Sequence, residues 1–456
     1  MSYLIIILHF TLHFDLSFDI NLIMSSKYSK YNIAILSIHS DPLAKAGTIE
    51  SGGQNVYVRN LAKNLSKLGF YVDIFSRLDK KNKQAIIQLD KRLRVIRVRS
   101  GPRRFIPKTE LLPYLPEFIA NFLKFKTEYK LNYHLIHGNY WEAGWVAIQL
   151  KNILKIPLVE TFHSLGYIRY HTLKKFQAQD IDSKEFKERV DIEKEIIENA
   201  DRIIATSPFE RLDLIKYYNA LPAKIKLISL GVNTKIFKPS NKTKAREIIQ
   251  ISGDSKIILY VGRIEWRKGL EIIIRAVNIL KSDLPIKNNW QVIIIGGYQG
   301  KYKRTIEQQE KERIIKLTEK LKLSDKVKFI NSLPQKKLAF YYNAADVVVV
   351  PSYYEPFGLI PLEAMACQVP VVASRTGGLR YSIRHNKTGF LAPVNRPASF
   401  AKRISEILNK PEMAQQFGDN GYNRVQKFFS WSGVAKKMGK LYLSLINYVA
   451  TRTLNH

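Results

Sequence analysis

From Tyr31 onward, the chain alternates short runs rich in β-branched residues with longer segments of helical periodicity. Such alternation is typical of parallel α/β proteins, in which a helix connects each strand to the next. One series of strand-like runs ends near residue 232, and a second begins near Ser255. The sequence therefore predicts an α/β fold with two Rossmann-like, doubly wound domains that face each other across a cleft.

The predicted strands are short apolar runs bounded by turn-forming residues. In the first series they lie at residues 32–40, 71–77, 93–100, 135–141, 157–164, 202–207 and 224–232. In the second series they lie at residues 256–263, 291–297, 326–332, 346–352 and 370–374. Helical periodicity follows the glycine pair Gly52-Gly53 as far as Gly69, and it is also clear at residues 189–200 and 431–449.

These patterns divide the chain. We predict a first domain at residues 31–232 and a second domain at residues 254–430. Residues 233–253 are polar and lysine-rich, which is typical of a linker. The helix at 431–449 is expected to pack back on the first domain, and residues 1–30 form an extension.

The extension does not match a membrane span. The apolar run from Leu4 to Phe10 is followed by Asp15 and Asp19, and it is too short to cross a bilayer. A secretory signal would need a basic start and a small-residue cleavage site, which this segment lacks. Two interpretations remain: Met24 is the native start, which leaves residues 1–23 outside the native protein, or the segment is a weak membrane-surface anchor.

Composition narrows the classes of partner. The chain carries 73 Lys and Arg against 39 Asp and Glu, a net charge of +34, which favours phosphate-bearing ligands and weak association with anionic membranes. The lysines are spread along the whole chain, and no zinc-finger, RRM or leucine-zipper pattern indicates nucleic acid. The single cysteine, Cys367, fits a reducing cytoplasmic location, and no metal site is expected. The sequence does not indicate an oligomeric state.

The strongest local pattern is the apolar strand at 346–352 followed by a turn and a helix predicted from about Phe357 to Cys367. Unpaired amides at a helix N-terminus favour a diphosphate, and Glu363, one turn further, is placed for ribose hydroxyls. Glu355 lies in the preceding turn. The residues expected to line this diphosphate-binding site are Phe357, Gly358, Leu359 and Ile360.

The segment EPFGLIPLE, in which seven residues separate Glu355 from Glu363, resembles the signature of retaining glycosyltransferases with the GT-B fold, family 4 or group 1. The resemblance extends over nearly the whole chain from Asn32. It implies that Arg263 and Lys268 contact the donor diphosphate without a metal, and that Glu355 contacts the transferred sugar. The glycine pair in SRTGGL also matches a loop near the donor in that family.

The loop and helix at residues 39–65 resemble those of sucrose-phosphate synthases and inositol-phosphate glycosyltransferases. This implies that Gly52 and Gly53 let the helix N-terminus approach the reacting sugars, Gly53 on the donor side. Gln54 and Asn55 are expected to bind acceptor hydroxyls. Gln54 matches the sucrose-phosphate synthase pattern, whereas the inositol-phosphate enzymes usually carry methionine there.

Four further positions match the acceptor-phosphate pocket of these relatives. Lysine, tyrosine, a hydroxyl and arginine together hold a dianionic phosphate through charge-assisted hydrogen bonds. The positions are Lys108, Tyr140, Ser164 and Arg189, with serine where the inositol-phosphate enzymes have threonine. His163 matches a cleft histidine that contacts the donor sugar near the anomeric carbon. Without the surrounding motif, His163 would equally fit a histidine at the end of a strand.

The prediction is therefore a retaining hexosyltransferase that needs no cofactor and moves a sugar from a nucleotide sugar, expected to be a UDP-sugar, to a small phosphorylated sugar or cyclitol. The residues alone do not select among uracil, adenine and guanine. Two alternatives share the fold: a membrane-surface enzyme acting on a lipid acceptor, and a nucleotide-sugar 2-epimerase. A dehydrogenase would need GxGxxG after the first strand, which is missing. Intact Arg263, Lys268, Glu355 and Glu363 disfavour a non-catalytic binding protein.

Overall fold

The computed structural model describes most of the chain, namely residues 28–45, 52–176, 183–251, 255–283, 289–297 and 306–454. The predicted extension therefore lies outside the described residues except for Tyr28, Ser29 and Lys30. Tyr28 is buried, and its ring centroid lies 4.6 Å from that of Phe70.

The strands of the first sheet are β1 (Asn32–Leu36), β2 (Tyr71–Arg77), β3 (Ile86–Asp90), β4 (Leu93–Val98), β5 (Leu135–Asn139), β6 (Leu158–Thr161), β7 (Arg202–Ala205) and β8 (Ile225–Leu227). Their order is β3-β4-β2-β1-β5-β6-β7-β8. All neighbours pair in parallel except β3 and β4. The order reverses between β1 and β5, so a crevice opens beyond the carboxyl ends of these two strands.

The second sheet consists of β9 (Lys256–Val261), β10 (Trp290–Ile295), β11 (Val327–Ile330), β12 (Val347–Val350), β13 (Val371–Ser374) and β14 (Gly389–Ala392). Its order is β11-β10-β9-β12-β13-β14, and its strands are parallel. The order reverses between β9 and β12. The predicted fold class, two doubly wound α/β domains, is confirmed.

Helices cover the sheets. Those that follow strands of the first sheet are α1 (Gly53–Leu68), α2 (Leu115–Glu128), α3 (Trp141–Leu154), α4 (Gly166–Lys175), α5 (Ser183–Asn199) and α6 (Pro208–Tyr218). The remaining helices are α7 (Lys242–Ile248), α8 (Leu270–Asp283), α9 (Ile306–Lys320), α10 (Gln335–Ala344), α11 (Leu359–Ala366), α12 (Leu379–Ser382), α13 (Pro397–Asn409), α14 (Pro411–Phe428) and α15 (Trp431–Leu454).

The C-terminal helix α15 packs along α1 of the first domain. Tyr442 of α15 is fully buried, and its hydroxyl lies 2.5 Å from Nδ1 of His137 in β5. The last helix therefore links the end of the chain to the first sheet. In the described part of the chain, no helix is both long enough and apolar enough to span a membrane.

The predicted linker at residues 233–253 contains a helix. Asn241 caps α7 by accepting a hydrogen bond from the amide of Lys244 at 2.9 Å, and Ala245 is buried. The helix packs against α10, and Arg246 forms an ion pair with Asp346 at 2.9 Å. The lysine-rich composition of this segment did not indicate a helix. The helix is nevertheless capped, and it packs against α10 of the second domain.

Candidate functional site

The loop that carries Glu355 connects β12 to α11 at the switch point of the second sheet. Gly358, the residue before α11, has φ of 87°, a conformation that favours glycine. Among the described residues no side chain caps the helix, which leaves the amides of its first turn available to a ligand. The helix begins at Leu359, two residues later than the sequence predicts. Phe357 is buried against the rings of Tyr381 and Phe429, which makes it a packing residue.

Gly377 and Gly378 pack against the backbone of this loop at Glu355 and Pro356. The amide of Gly378 donates hydrogen bonds to the carbonyls of Glu355 and Pro356, at 3.1 and 3.0 Å. A Cβ added to Gly377 would lie 2.0 Å from the carbonyl oxygen of Glu355. Because this neighbour is backbone, the contact is relieved only by moving the Glu355 loop.

Gly377→Ala is therefore expected to lower kcat at least about tenfold, since displacing a reacting group by about 1 Å is costly. The backbone also has φ of 42° at this position, which adds strain. Gly433→Ala in α15 is the control, because its Cβ would meet only the Ser430 hydroxyl oxygen, at 3.0 Å. Steady-state kinetics that place both variants at the wild-type kcat would contradict the role of Gly377.

Lys268 and Glu355 meet across two loops of the second domain. Nζ of Lys268 lies 2.5 Å from Oε2 of Glu355, which also accepts a hydrogen bond from Ser352 at 3.3 Å. The loops are joined by stacking of Trp266 on Tyr353, with ring centroids 4.5 Å apart. Burial lowers the pKa of the Lys268 ammonium, and Glu355 only partly opposes this effect. The site thus holds a poorly solvated cation at the cleft.

Arg263 is held by two carboxylates and remains 39% exposed. Its guanidinium contacts Glu307 at 2.7 Å and Glu265 at 2.9 Å. Burial acts to raise the pKa of Glu265, but the surrounding cations, Arg267 first, hold it at about 2. Sequence reasoning missed Glu265, although it lies in the same VGRIEWRKG segment. No hydrogen bond or ion pair in the described residues joins Arg263 to Lys268 or Glu355.

Glu363 lies one turn into α11 and is buried beneath the helix terminus. Its Oε2 accepts a hydrogen bond from the Tyr342 hydroxyl at 2.8 Å. Burial raises the pKa of the Glu363 carboxyl to about 7, despite hydrogen bonds from Tyr342 and Gln335 that lower it. The carboxyl group is therefore poised to ionise near neutral pH when further donors arrive.

Lys108, Tyr140 and Arg189 converge in the first domain. The Tyr140 hydroxyl accepts hydrogen bonds from Lys108 Nζ at 2.9 Å and from Arg189 Nη1 at 2.8 Å. Burial acts to raise the pKa of this hydroxyl, but Arg189 and Lys108 outweigh burial and lower it. Tyr140 has φ of 81° immediately after β5, so the strained backbone places its ring at the switch point.

A small cavity adjoins these three side chains and is also lined by Arg169, which sequence reasoning missed. Nε of Arg169 is buried and has no hydrogen-bond partner in the described residues, and burial lowers the pKa of its guanidinium. The sequence could have indicated Arg169, because it lies only five residues after Ser164. The cavity measures about 20 Å³, the room of one water molecule, so a phosphate requires Lys108 and Arg189 to separate from Tyr140.

Ser164 connects this cluster to the second domain. Its carbonyl accepts a hydrogen bond from Arg189, and its hydroxyl lies 3.3 Å from the hydroxyl of Tyr354. Tyr354 is the residue before Glu355. The predicted phosphate-binding residues are therefore one contact away from the predicted donor loop.

Gly53 and Gln54, at the start of α1, face different parts of the protein. Gly53 faces α11, since a Cβ added there would lie 3.8 Å from Leu359 Cδ1. Gln54 donates to the Asn139 carbonyl at 3.1 Å and to the Ser37 hydroxyl at 3.2 Å.

Asn55 forms the cap of α1. Its Oδ1 accepts from the amide of Gly52 at 2.8 Å, and its Nδ2 donates to the Asp41 carbonyl at 2.5 Å. Both ends of this side chain are therefore used within the protein, a structural role that the sequence pattern did not predict.

His163 lies at the cleft with φ of 58°, and its Nε2 is 2.9 Å from Oδ1 of Asn139. Burial, helped by His137 and His39, lowers the pKa of the His163 imidazole to about 3. The ring is therefore neutral at physiological pH and able to hydrogen-bond a neutral hydroxyl.

Two family models match this chain. "Glycosyl transferases group 1" matches residues 241–424, and "Glycosyltransferase Family 4" matches residues 51–236. The D-inositol 3-phosphate glycosyltransferase of Corynebacterium jeikeium is 34% identical over 416 residues, which cover 91% of this chain and 96% of that protein. This protein is a family 4, group 1 glycosyltransferase. The predicted family and enzyme class are confirmed.

Other relatives agree with this assignment. The D-inositol 3-phosphate glycosyltransferase of Corynebacterium diphtheriae is 32% identical over 413 residues, covering 90% of this glycosyltransferase and 94% of the relative. Sucrose-phosphate synthase from Thermosynechococcus elongatus superimposes with a TM-score of 0.83 at 37% identity, covering 92% of this chain and 100% of that one. Anabaena HepE in complex with UDP and glucose, at 20% identity and a TM-score of 0.70, supports the fold alone.

Proposed function

We propose that this glycosyltransferase moves a hexosyl unit, with retention, from a nucleoside-diphosphate sugar to a small phosphorylated sugar or cyclitol. The observation that carries the proposal is the convergence of Lys108 and Arg189 on the Tyr140 hydroxyl, with Arg169 beside them. Three cations outnumber the one carboxylate, Glu188, around this small cavity at a sheet switch point, which favours a dianionic group. The names of the relatives, which include inositol 3-phosphate and sucrose-phosphate, support the same class of acceptor.

The donor is proposed to bind across α11 and Lys268, with UDP-sugars as the first candidates. The unpaired amides of α11 and the Lys268 ammonium would receive the diphosphate, and Glu363 the ribose hydroxyls. Glu355 is held by Lys268 and Ser352, which suits a group that binds sugar hydroxyls rather than a nucleophile.

In the transfer, the bond from the anomeric carbon to the diphosphate oxygen breaks, and a bond from that carbon to the acceptor hydroxyl oxygen forms. The hydroxyl proton passes to the departing diphosphate, whose charge is stabilised by Lys268 and the helix amides. His163 is neutral and lies beside Asn139, so it can orient a sugar hydroxyl without supplying charge.

The proposal is tested by a matrix of UDP-, ADP- and GDP-sugars against several acceptors, with released nucleoside diphosphate as the readout. The acceptors are fructose 6-phosphate, inositol 1-phosphate, the corresponding unphosphorylated compounds and phosphatidylinositol vesicles. Turnover with a phosphorylated small acceptor, and not with its unphosphorylated form, is the expected result. Turnover only with vesicles would move the reaction to the membrane surface. Conversion of the donor sugar without an acceptor would indicate the epimerase alternative.

A pH-dependence follows from Glu363. Its pKa of about 7 means that a proton must leave before the carboxylate accepts two ribose hydroxyls. We therefore expect the donor KM to fall as the pH rises from 6 to 8, by roughly tenfold if ionisation alone governs the change. Glu363→Gln is the matched control, and it should raise the donor KM and remove this part of the pH profile. An identical profile in the variant would contradict ribose binding by Glu363.

The raised pKa of Glu363 has the opposite consequence for folding stability, which it lowers as the pH rises. The pKa of Glu363 in the folded chain lies above its ordinary value of 4.5, so the folded state holds the proton more tightly. Without donor, stability should therefore decline between pH 4.5 and pH 7. A bound nucleotide should offset this decline, which thermal unfolding with and without UDP measures.

A further inference from the structure

A larger cavity opens between the two domains beside Tyr354 and Pro356, the residues that flank Glu355 in the chain. Its volume is about 390 Å³, within the range of sites for small molecules. Its walls come from α4 and α6 of the first domain and from the loops near Pro356 and Gly377 of the second domain. Lys108, Tyr140 and Arg189 are not among the described residues that line it, so it is separate from the phosphate-binding cluster.

One wall of the cavity carries a row of three rings. The ring centroid of Tyr167 lies 4.1 Å from that of His171 and 4.7 Å from that of Tyr217. The Tyr167 and Tyr217 rings are stacked, with planes 24° apart. Such rings offer an apolar surface together with polar edges, and they lose little conformational freedom when they bind a ligand.

The lining of the cavity also offers both hydrogen-bond donors and acceptors. Asp213 of α6 faces the cavity, and no donor in the described ranges hydrogen-bonds its carboxylate. Arg380 reaches in from α12, where its guanidinium lies 3.7 Å from the centroid of the Phe209 ring. Thr172 and Lys175 add a hydroxyl and an ammonium. Burial raises the pKa of Asp213 to about 6 despite Arg380, so its carboxylate lacks full solvation.

This combination disfavours an anion as the ligand. A phosphate that approached Arg380 and Lys175 would also face Asp213 and, in its ionised form, Glu210, whose pKa burial raises to about 7. Repulsion from carboxylates in a site of low dielectric offsets the attraction of the cations. A neutral ring with several hydroxyls meets no such conflict, because its hydroxyls donate to Asp213 and accept from Arg380 while its C–H face contacts the aromatic rings.

We propose that the cavity beside Tyr354 is a binding site for a neutral saccharide, distinct from the donor sugar and from the phosphorylated acceptor. The volume accommodates one to two sugar rings. Because Tyr354 and Pro356 flank Glu355, a sugar bound here touches the loop that holds the transferred sugar. Occupancy of the cavity is therefore a further determinant of which acceptors, or which acceptor extensions, this glycosyltransferase accepts.

The test is saturation-transfer NMR on the full chain, without donor or phosphorylated acceptor, using sucrose and maltose as probes and inorganic phosphate as competitor. We expect transfer to the ring protons of at least one disaccharide. Binding should weaken about tenfold in Asp213→Asn, because each lost hydrogen bond to a charged group has roughly that effect. Tyr217→Ala should weaken it at least as much, and its melting curve reveals whether it folds.

Two control variants make the result specific. Leu212→Ala changes a residue of α6 that is 57% exposed and next to Asp213, and it should bind the disaccharide like the wild type. Lys108→Met should also bind it normally, because Lys108 belongs to the other cavity. Absence of transfer to both disaccharides, unchanged binding in Asp213→Asn, loss of binding in Lys108→Met, or displacement by inorganic phosphate would each overturn the proposal. Because the measurement requires no turnover, failure of the proposed transfer reaction leaves it interpretable.

Discussion

Lys268→Ala is expected to lower kcat by about 10²–10³-fold, the range observed when one stabilising donor is removed from a transition state. Lys268 Nζ is the cation that directly contacts Glu355, and its side chain is 16% exposed. Charge that develops on the departing diphosphate would be stabilised there with little competition from water. Steady-state kinetics with saturating donor and acceptor measure the effect.

Arg263→Ala should have a smaller effect. Its guanidinium is more exposed and is already engaged by Glu307 and Glu265, so part of its charge is compensated before any ligand binds. Arg275→Ala is the matched control for charge, since Arg275 is a half-exposed residue of α8 whose pairing with Glu271 lies on the surface. If Lys268→Ala kept kcat within threefold of the wild type while Arg263→Ala abolished activity, the assignment of the leaving-group cation would be wrong.

The fold could be predicted from the sequence because hydrophobic periodicity and turn-forming residues mark most of its helices and strands. The start of α1 follows the glycine pair, and its end at Gly69, with φ of 116°, is a left-handed cap. Two edge strands, β3 and β14, were missed for a physical reason. β14 consists of Gly389, Phe390, Leu391 and Ala392 and has no β-branched residue, and β3 is a half-exposed edge strand without clean alternation, so neither pattern stands out.

The loop proposed to bind the donor was predictable because its determinants are close together in the sequence. A strand, a glycine and two carboxylates within twenty residues specify a helix terminus with unpaired amides. The pairing of Lys268 with Glu355 joins residues 87 positions apart, and no local pattern encodes such a contact. The roles of these residues in catalysis remain predictions until the variants are measured.

The cluster proposed to bind the acceptor phosphate was predicted only through resemblance. Lys108, Tyr140 and Arg189 come from three separate elements, and a lysine-rich chain gives no statistical reason to select them. The structure brings them together because Tyr140 directly follows β5 and Arg189, in the first half of α5, reaches its hydroxyl group. It also reveals what supports them: Glu193, a buried carboxylate one helical turn after Arg189, which the sequence analysis did not select.

Arg189→Met is expected to destabilise the first domain by about 3–5 kcal/mol, the usual result of removing one partner from a buried ion pair. Arg189 Nε lies 2.8 Å from Glu193 Oε1, and the two side chains are 6% and 0% exposed. Glu193 also accepts hydrogen bonds from the Gly166 amide and the Tyr218 hydroxyl, so it cannot leave its position without breaking these contacts. Urea unfolding measures the loss.

The same substitution should raise the KM for the phosphorylated acceptor, and the two effects can be separated. Adding Glu193→Gln to Arg189→Met removes the uncompensated charge and should recover much of the lost stability. Acceptor binding should not recover, because a glutamine at position 193 supplies no cation to the cavity. Lys108→Met offers the converse case: it should weaken acceptor binding by roughly 10- to 100-fold with little loss of stability, since Lys108 hydrogen-bonds only Tyr140 in the described residues. If the Arg189→Met, Glu193→Gln double variant recovered both its stability and the wild-type KM for the acceptor, Arg189 would have only a structural role. Lys108 and Arg169 would then be the phosphate-binding groups.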